Sequence, residues 1–248
     1  MTIQIIIYCC IGLLAGVMNG MFGIGGGSIG IPLLYLRGIP LLSAFAINLF
    51  VVPFTSLVSA ITQRKNIEKK VAIYVVVGGI AGEVLGAFWA IYVGAISTLT
   101  LAIIFVITSS TAVSAMYLDR IAPKISQKIN PGPKSFLSLA FIINLITGLR
   151  GGSGGSLLSP FLRAMKLEIH KAIATSLFVT IFTAIAGTLV YWKTGNLIWL
   201  PALCVLVGSM IGARIGSRFS LKTKSAHLQM GLAILVIGLA FTVLYKAL

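Results

Sequence analysis

The stretch NGMFGIGGGSIGIP, residues 19–32, places six glycines directly after a long apolar run. Glycine weakens the interior of a helix and permits backbone conformations that other residues rarely adopt. A membrane tolerates non-helical backbone only where it is buried in protein or lines a cavity. The stretch therefore predicts a sharp turn at membrane depth, followed by a short apolar helix at 28–36 that is too short to cross a bilayer.

The composition of the whole chain indicates that the protein lies in a membrane. The 248 residues are 58% hydrophobic and 9% charged, with a mean hydropathy of +1.07. A soluble domain needs far more polar surface than this, so we expect a polytopic membrane protein. The first ten residues have no basic n-region, which predicts that the first helix is retained. Apolar runs predict spans at 3–22, 43–62, 71–93, 98–117, 135–149, 172–192, 198–217 and 227–246, with a second short piece at 156–162.

The basic residues divide the links between spans into two groups. Most of the 19 Lys and Arg residues lie in the links near 64–70, 120–134, 163–171 and 218–224. The positive-inside pattern assigns these links to the cytoplasm. The net charge of +15 therefore indicates topology rather than nucleic-acid binding, because the sequence has no basic face with interleaved aromatics. Arg150 and Arg214 lie outside all links.

The chain contains an internal repeat. A shift of 128 residues places four glycines of the first stretch, together with Ser28 and Pro32, on the stretch GGSGGSLLSP at 151–160 and the residues just before it. The same shift places INLFV at 47–51 on TSLFV at 175–179, and two inserted residues bring GEVLG at 82–86 onto GARIG at 212–216. Such a match between two apolar segments indicates duplication.

Equivalent links of the two repeats differ in charge, which predicts that they lie on opposite sides of the membrane. The expected fold is an all-α polytopic membrane protein with two inverted-topology repeats. Each repeat has about four spans plus a short re-entrant or broken helix after its glycine-rich turn. The predicted organisation is a first membrane repeat at 1–117, a cytoplasmic link at 118–134 and a second membrane repeat at 135–248.

Two facing glycine-rich turns would form a site for an anion near the midplane. The N-termini of the short helices would point toward it, and serine hydroxyls could cap them or donate to a ligand. Arg150 lies inside the second stretch, where its planar guanidinium suits an oxyanion. Alternatively, the guanidinium pairs with backbone carbonyls of the turn or extends toward a membrane surface. Phe22 is the equivalent residue, so the site would be asymmetric.

Polar residues in the following helices either line the same cavity or form hydrogen bonds between helices. The predicted substrate-binding residues are Arg150, Gly25, Gly26, Gly27, Ser28, Ser153, Gly154, Gly155, Ser156, Asn48, Thr175 and Ser176. Glu83 is the one acid within a predicted span. It could carry a coupling proton or pair with Arg214, and the aligned repeats favour the pair. The three cysteines have no metal-ligand spacing, so we expect no metal and no cofactor.

The motif at Gly23, Gly25, Gly26, Gly27 and Pro32, the ATSLF segment at 174–178 and the duplicated layout together resemble the TauE/SafE family of membrane permeases. The resemblance covers essentially the whole chain. It implies export of small sulfur-containing anions, such as sulfite or organosulfonates, across a bacterial or archaeal cytoplasmic membrane. The expected partners are the anion and membrane lipid, and the sequence allows a homodimer.

Several functions remain open beside a secondary transporter with alternating access. A passive anion channel, or a permease for another small organic anion, would use the same turns. A scaffold subunit would need a soluble partner. The spans contain no catalytic motif such as HExxH or paired acids, which argues against an intramembrane enzyme. A Walker A loop is also absent from the sequence, so ATP is not expected to drive transport.

Overall fold

The computed structural model describes residues 2–23, 25–116, 132–152, 155–221 and 237–247. Most of the predicted link at 118–134, residue 24 and the start of the predicted last span lie outside this part of the chain. The described helices are α1 Thr2–Phe22, α2 Gly27–Leu36, α3 Leu41–Thr62, α4 Lys69–Ile96, α5 Thr98–Met116, α6 Pro133–Gly148, α7 Gly155–Ala164, α8 Ile169–Lys193, α9 Trp199–Ser220 and α10 Ile237–Ala247.

The prediction of an all-α polytopic membrane protein is confirmed. Among the described residues, five helices are long and apolar enough to cross a membrane, namely α1, α3, α4, α8 and α9. The short apolar helices α2 and α7 follow the two glycine-rich stretches, as the sequence predicts. Large apolar residues are also exposed on the outer faces of these helices, as expected for helices whose outer side faces lipid.

Helices α1 and α9 pack with their backbones in close contact. A Cβ atom on Gly16 of α1 would lie 2.1 Å from the carbonyl oxygen of Ser209, and one on Gly212 of α9 would lie 2.2 Å from that of Leu13. The hydroxyl of Ser209 also donates a 2.9 Å hydrogen bond to the carbonyl oxygen of Gly12. The spaced glycines therefore serve close helix packing, which is how small residues hold membrane helices together.

Helices α4 and α6 repeat this arrangement. A Cβ atom on Gly82 of α4 would lie 2.1 Å from the carbonyl oxygen of Phe141, and one on Gly78 would lie 2.2 Å from that of Leu137. The repeat makes α6 the equivalent of α1 and α4 the equivalent of α9. In both pairs, the first helix of one half therefore packs on the fourth helix of the other half.

Helices α3 and α8, which are equivalent in the repeat, form the centre of the molecule. They contact each other, and each also contacts the fourth helix of the opposite half, α9 for α3 and α4 for α8. They are the most deeply buried of the five span-length helices. Equivalent contacts agree with the duplication, while the inverted orientation of the halves stays a prediction.

Candidate functional site

The first glycine-rich turn requires glycine at Gly26. Its φ of 62° lies in the left-handed region, and a Cβ atom there would lie 2.8 Å from the carbonyl oxygen of Ala15. Any other residue would be both strained and crowded. Gly26 is the N-cap of α2 and makes no side-chain cap, and the helix begins at Gly27 rather than at Ser28. Ser28 is buried in the first turn of α2 and does not occupy the predicted capping position.

Asn19 holds the first turn in place, a role that the sequence analysis missed. Its Oδ1 accepts a 2.9 Å hydrogen bond from the N–H of Gly25. Its Nδ2 donates to the hydroxyls of Thr55 at 2.9 Å and Ser56 at 3.2 Å, both on α3. One buried amide thus joins α1, the turn and α3. A buried asparagine directly before the glycines was the available signal for this role.

The second turn is held between the two halves. Gly151 has a φ of 65°, and a Cβ atom there would lie 2.1 Å from Cγ of Phe45 on α3. The N–H of Gly152 donates a 2.9 Å hydrogen bond to the carbonyl oxygen of Thr147. The predicted residues Ser153 and Gly154 lie outside the described residues. Gly155 is the first residue of α7, and Ser156 follows it.

Each turn accepts a hydrogen bond from the central helix of the opposite half. Asn48 Nδ2 donates to the carbonyl oxygen of Gly151 at 2.8 Å. At the equivalent position, Ser176 Oγ donates to the carbonyl oxygen of Gly23 at 3.4 Å. The sequence analysis placed Asn48 and the pair Thr175–Ser176 at equivalent points of the two repeats. These two bonds bring both side chains to the glycine-rich turns.

Thr175 points elsewhere. Its Oγ1 accepts a 3.0 Å hydrogen bond from the N–H of Glu68, the residue before α4. Glu68 also pairs with Lys171 at 3.6 Å. Thr175 therefore joins α8 to the start of α4 rather than standing beside its neighbour Ser176 at the turns. Adjacent helical residues are about 100° apart around the helix axis, which explains why only one of the two reaches the turns.

A small cavity of about 10 Å³ lies beside the first turn. Its lining includes the predicted residues Gly25, Gly26 and Asn48 and the unpredicted residue Asn19. Gly27 borders Asn48 closely, because a Cβ atom on Gly27 would lie 2.6 Å from Asn48 Nδ2. A cavity of this size holds about one water molecule. An anion larger than water would require the surrounding helices to separate.

Arg150, at the start of the second turn, is buried with 2% of its surface exposed. Its Nη1 donates a 3.3 Å hydrogen bond to Ser109 Oγ of α5, a residue that the sequence analysis did not single out. A buried guanidinium is thus present beside the glycine-rich turn, as the sequence predicted.

Glu83 is completely buried, and the structure does not bring it to Arg214. Arg214 is exposed on α9, whose glycine-lined face packs against α1. Glu83 lies on α4 beside α8, where a Cβ atom on Gly187 would lie 2.9 Å from Glu83 Oε1. The predicted Glu83–Arg214 pair is therefore not formed, because the carboxylate is buried on α4 and the guanidinium is exposed on α9. Aligned positions in two repeats need not be neighbours in space.

A metal site is not formed by the described residues, among which no group of three or more His, Cys, Asp or Glu side chains comes together. Tyr191 of α8 is a further buried residue that was not predicted. The candidate site thus consists of two glycine-rich turns tied across the halves and a buried arginine at the second turn.

The sequence of the chain matches a known protein family. The family model described as sulfite exporter TauE/SafE matches residues 8–243. The chain is 25% identical to the "probable membrane transporter protein YunE" of Bacillus subtilis, over 97% of each chain. It is 28% identical to the "probable membrane transporter protein YdhB" of the same organism, over 84% of this chain and 86% of the relative.

Similarity extends to an archaeal protein. The "probable membrane transporter protein MJ0441" of Methanocaldococcus jannaschii is 26% identical, over 90% of this chain and 89% of the relative. No solved structure matches the chain.

Proposed function

The chain belongs to the sulfite exporter TauE/SafE family, and on that premise we propose that it is a secondary transporter that exports a small sulfur-containing anion such as sulfite or an organosulfonate. The anion binds at the facing glycine-rich turns, with Arg150 as its fixed cation. Export of an anion is aided by an inside-negative potential, by about 2.3 kcal/mol per charge per 100 mV.

The observation that carries the proposal is the burial of Arg150 at the second turn. A guanidinium at this depth is costly and is retained where it has a functional partner. Its planar set of donors matches the oxygens of a sulfite or sulfonate group. Ser109, which accepts from one end of the guanidinium, would orient it.

The turns supply neutral donors around this charge. Asn48 lies between Gly27 at the start of α2 and the carbonyl oxygen of Gly151. The N-terminus of helix α2, which carries a partial positive charge from the helix dipole, lies beside the same amide. A side chain that already joins the two turns is well placed to exchange that hydrogen bond for one to a ligand.

The duplicated fold favours a transporter over a passive channel, because two repeats that pack across each other allow a site between them to open to one side at a time. In the proposed cycle, the helices around α3 and α8 separate on one side at a time, which is the alternating access expected of a repeated fold.

Binding to the purified protein tests the proposal. A panel of sulfite, sulfate, thiosulfate, a small sulfonate and a small carboxylate is compared by thermal stabilisation, together with Arg150→Ala and Arg150→Lys. We expect a sulfur anion to stabilise the wild type. Loss of a charge-assisted hydrogen bond of about 1.5–3 kcal/mol should weaken binding about ten- to a hundredfold in Arg150→Ala, with partial recovery in Arg150→Lys.

The exposed Arg214 provides the matched control. Arg214→Ala removes the same charge from the outside of α9 and should bind the anion like the wild type. Equal stabilisation of Arg150→Ala and wild type would remove Arg150 from the site. Stabilisation by the carboxylate but by no sulfur anion would change the substrate class.

A further inference from the structure

A groove of about 300 Å³ lies between the central helices α3 and α8, with α9 at one end. Its volume is at the lower end of the range for ligand sites in proteins, about 300–1,000 Å³. The groove opens on the outer surface of the helices, because several of its wall residues are exposed. These include Phe54 and Leu57 of α3, Ile185 and Leu189 of α8, and Trp199 of α9.

The walls of this groove are apolar. Thr188 is the one residue with an aliphatic hydroxyl among the described residues that line it. Its Oγ1 donates a 2.7 Å hydrogen bond to the carbonyl oxygen of Ala184 in its own helix. The hydroxyl is therefore not needed for a ligand, and the groove suits a hydrocarbon chain, which gains free energy when its apolar surface is covered.

The groove extends from the middle of the membrane to one surface. Lys193 is the last residue of α8 and is followed by an exposed turn. Trp192 and Trp199 lie at this end with their rings in edge contact at 6.3 Å, and tryptophan is typical of the boundary between hydrocarbon and headgroups. Ile181, at the other end, is eleven residues before Trp192. At 1.5 Å per residue this is about 16 Å, about half of a hydrocarbon core of about 30 Å.

A positive charge lies at the surface end of the groove. Lys193 directly follows the wall residue Trp192 and is exposed. At the end of a membrane helix, a lysine is at the level of the lipid phosphates and attracts anionic headgroups. An apolar groove one leaflet long, with a cation at its open end, matches the shape and charge of a phospholipid.

We propose that the groove binds one acyl chain of an anionic phospholipid, whose phosphate lies at Lys193. The groove faces outward from membrane-spanning helices, so lipid is the molecule available to fill it. Because α3 belongs to the first half of the chain and α8 to the second, the bound acyl chain contacts both halves. It is held more firmly than the lipids that cover the flat faces of the other helices.

Retention of lipid by the purified protein tests the proposal. The full chain is placed in a mild detergent with equal amounts of phosphatidylglycerol and phosphatidylcholine, and native mass spectrometry counts the phospholipids that remain bound. The wild type should keep one phosphatidylglycerol per chain after the other lipids have been washed away. A chain that keeps no phospholipid, or that keeps the two lipids equally, overturns the proposal.

Variants locate the retained lipid. Ile185→Phe fills the groove and should weaken retention about tenfold, whereas Ile211→Phe adds the same bulk to an exposed position of α9 outside the groove and should not. Lys193→Gln should weaken retention of phosphatidylglycerol about fivefold, as expected of one lysine at a membrane surface. Lys65→Gln, beyond the opposite end of α3, is its control. Wild-type retention in Ile185→Phe overturns the proposal.

Tryptophan fluorescence gives a second measurement that does not depend on the groove-filling variant. The chain has three tryptophans, of which Trp192 and Trp199 line the groove and Trp89 is exposed on α4. Bromine-labelled phosphatidylglycerol, added as a minor fraction to phosphatidylcholine membranes, quenches tryptophans that it contacts. Trp89→Phe reports the groove, and the double variant Trp192→Phe/Trp199→Phe reports ordinary lipid contact.

Quenching relative to fully labelled membranes is the quantity compared. The groove tryptophans should be quenched well beyond the fraction of labelled lipid, and Trp89 in proportion to it. Equal relative quenching overturns the proposal. A dimeric mass with groove tryptophans shielded from labelled lipid would identify a second copy of the chain as the occupant and overturn it as well. None of these measurements requires a bound anion, so their outcome is independent of the proposed transport function.

Discussion

The side-chain amide of Asn48 donates a 2.8 Å hydrogen bond to the carbonyl oxygen of Gly151. The donor belongs to the central helix of one half, and the acceptor belongs to the glycine-rich turn of the other. Ser176 and Gly23 make the equivalent contact in the opposite sense, at 3.4 Å. Each half of the chain therefore fixes the glycine-rich turn of the other half, and movement of α3 or α8 is transmitted directly to the turns.

Replacing Asn48 should loosen the second turn. Asn48→Ala leaves the buried carbonyl oxygen of Gly151 without its donor, which should lower the free energy of unfolding by about 1–3 kcal/mol. Ser176→Ala should cost less, because its bond is longer. Thermal unfolding in detergent measures both. Ser138→Ala, an exposed serine that bonds only its own helix, is the control, and an equal loss in all three variants would contradict the prediction.

Alanine at Gly151 should disrupt the second turn. The substitution combines a left-handed φ with a Cβ atom 2.1 Å from Phe45. Gly195 has a similar φ of 73° but open space around its Cβ position. Gly195→Ala thus measures backbone strain alone, about 1–2 kcal/mol. Gly151→Ala should be clearly less stable in the same unfolding assay. Equal stability of the two would mean that Phe45 does not constrain the turn.

Alanine at Gly212 should separate α1 from α9. Its Cβ atom would lie 2.2 Å from the carbonyl oxygen of Leu13, and backbone atoms cannot move aside cheaply. Overpacking should cost about 1–3 kcal/mol. Gly238→Ala, in α10 with open space around its Cβ position, should be neutral or gain up to about 1 kcal/mol. A fully stable Gly212→Ala would refute the close packing of this helix pair.

Alanine at Gly187 should overpack the contact between α8 and α4. Its Cβ atom would lie 2.9 Å from Glu83 Oε1 and 3.2 Å from both Glu83 Cγ and Leu49 Cδ1. Both side chains are completely buried and have little room to move, so the substitution should lower the free energy of unfolding by about 1–3 kcal/mol. Thermal unfolding in detergent measures the loss, and a Gly187→Ala variant as stable as Gly238→Ala would contradict it.

The sequence predicted the positions of the helices along the chain better than it predicted which helices contact one another. Apolar runs and glycine-rich breaks located α2 and α7, and the 128-residue shift placed Asn48 at the same point as the pair Thr175–Ser176, of which Ser176 makes the equivalent contact. The alignment could not indicate which helix faces which, so it suggested Arg214 as the partner of Glu83. Packing of α4 on α6 and α8 instead buries the Glu83 side chain beside Gly187 of α8, because the glycines of α4 fix which of its faces is buried.

Two further buried polar residues were missed by the sequence analysis for a related reason. Asn19 and Tyr191 lie at the ends of long apolar runs, where polar residues commonly face water. Only the folded chain buries them. Arg150 was predictable because a guanidinium at membrane depth is costly, so an arginine within a glycine-rich stretch of a membrane protein points to a buried partner.

The first helix of each half packs on the fourth helix of the other half, and this packing limits the order in which the protein can be assembled. The hydroxyl of Ser209 binds the carbonyl oxygen of Gly12, 197 residues earlier in the chain. At about 5–20 residues per second, a ribosome needs about 10–40 seconds to complete that interval. During this time the glycine face of α1 must wait in the bilayer without α9, and a nascent chain that stops after the first half leaves α1 and α4 both without the helices that cover them.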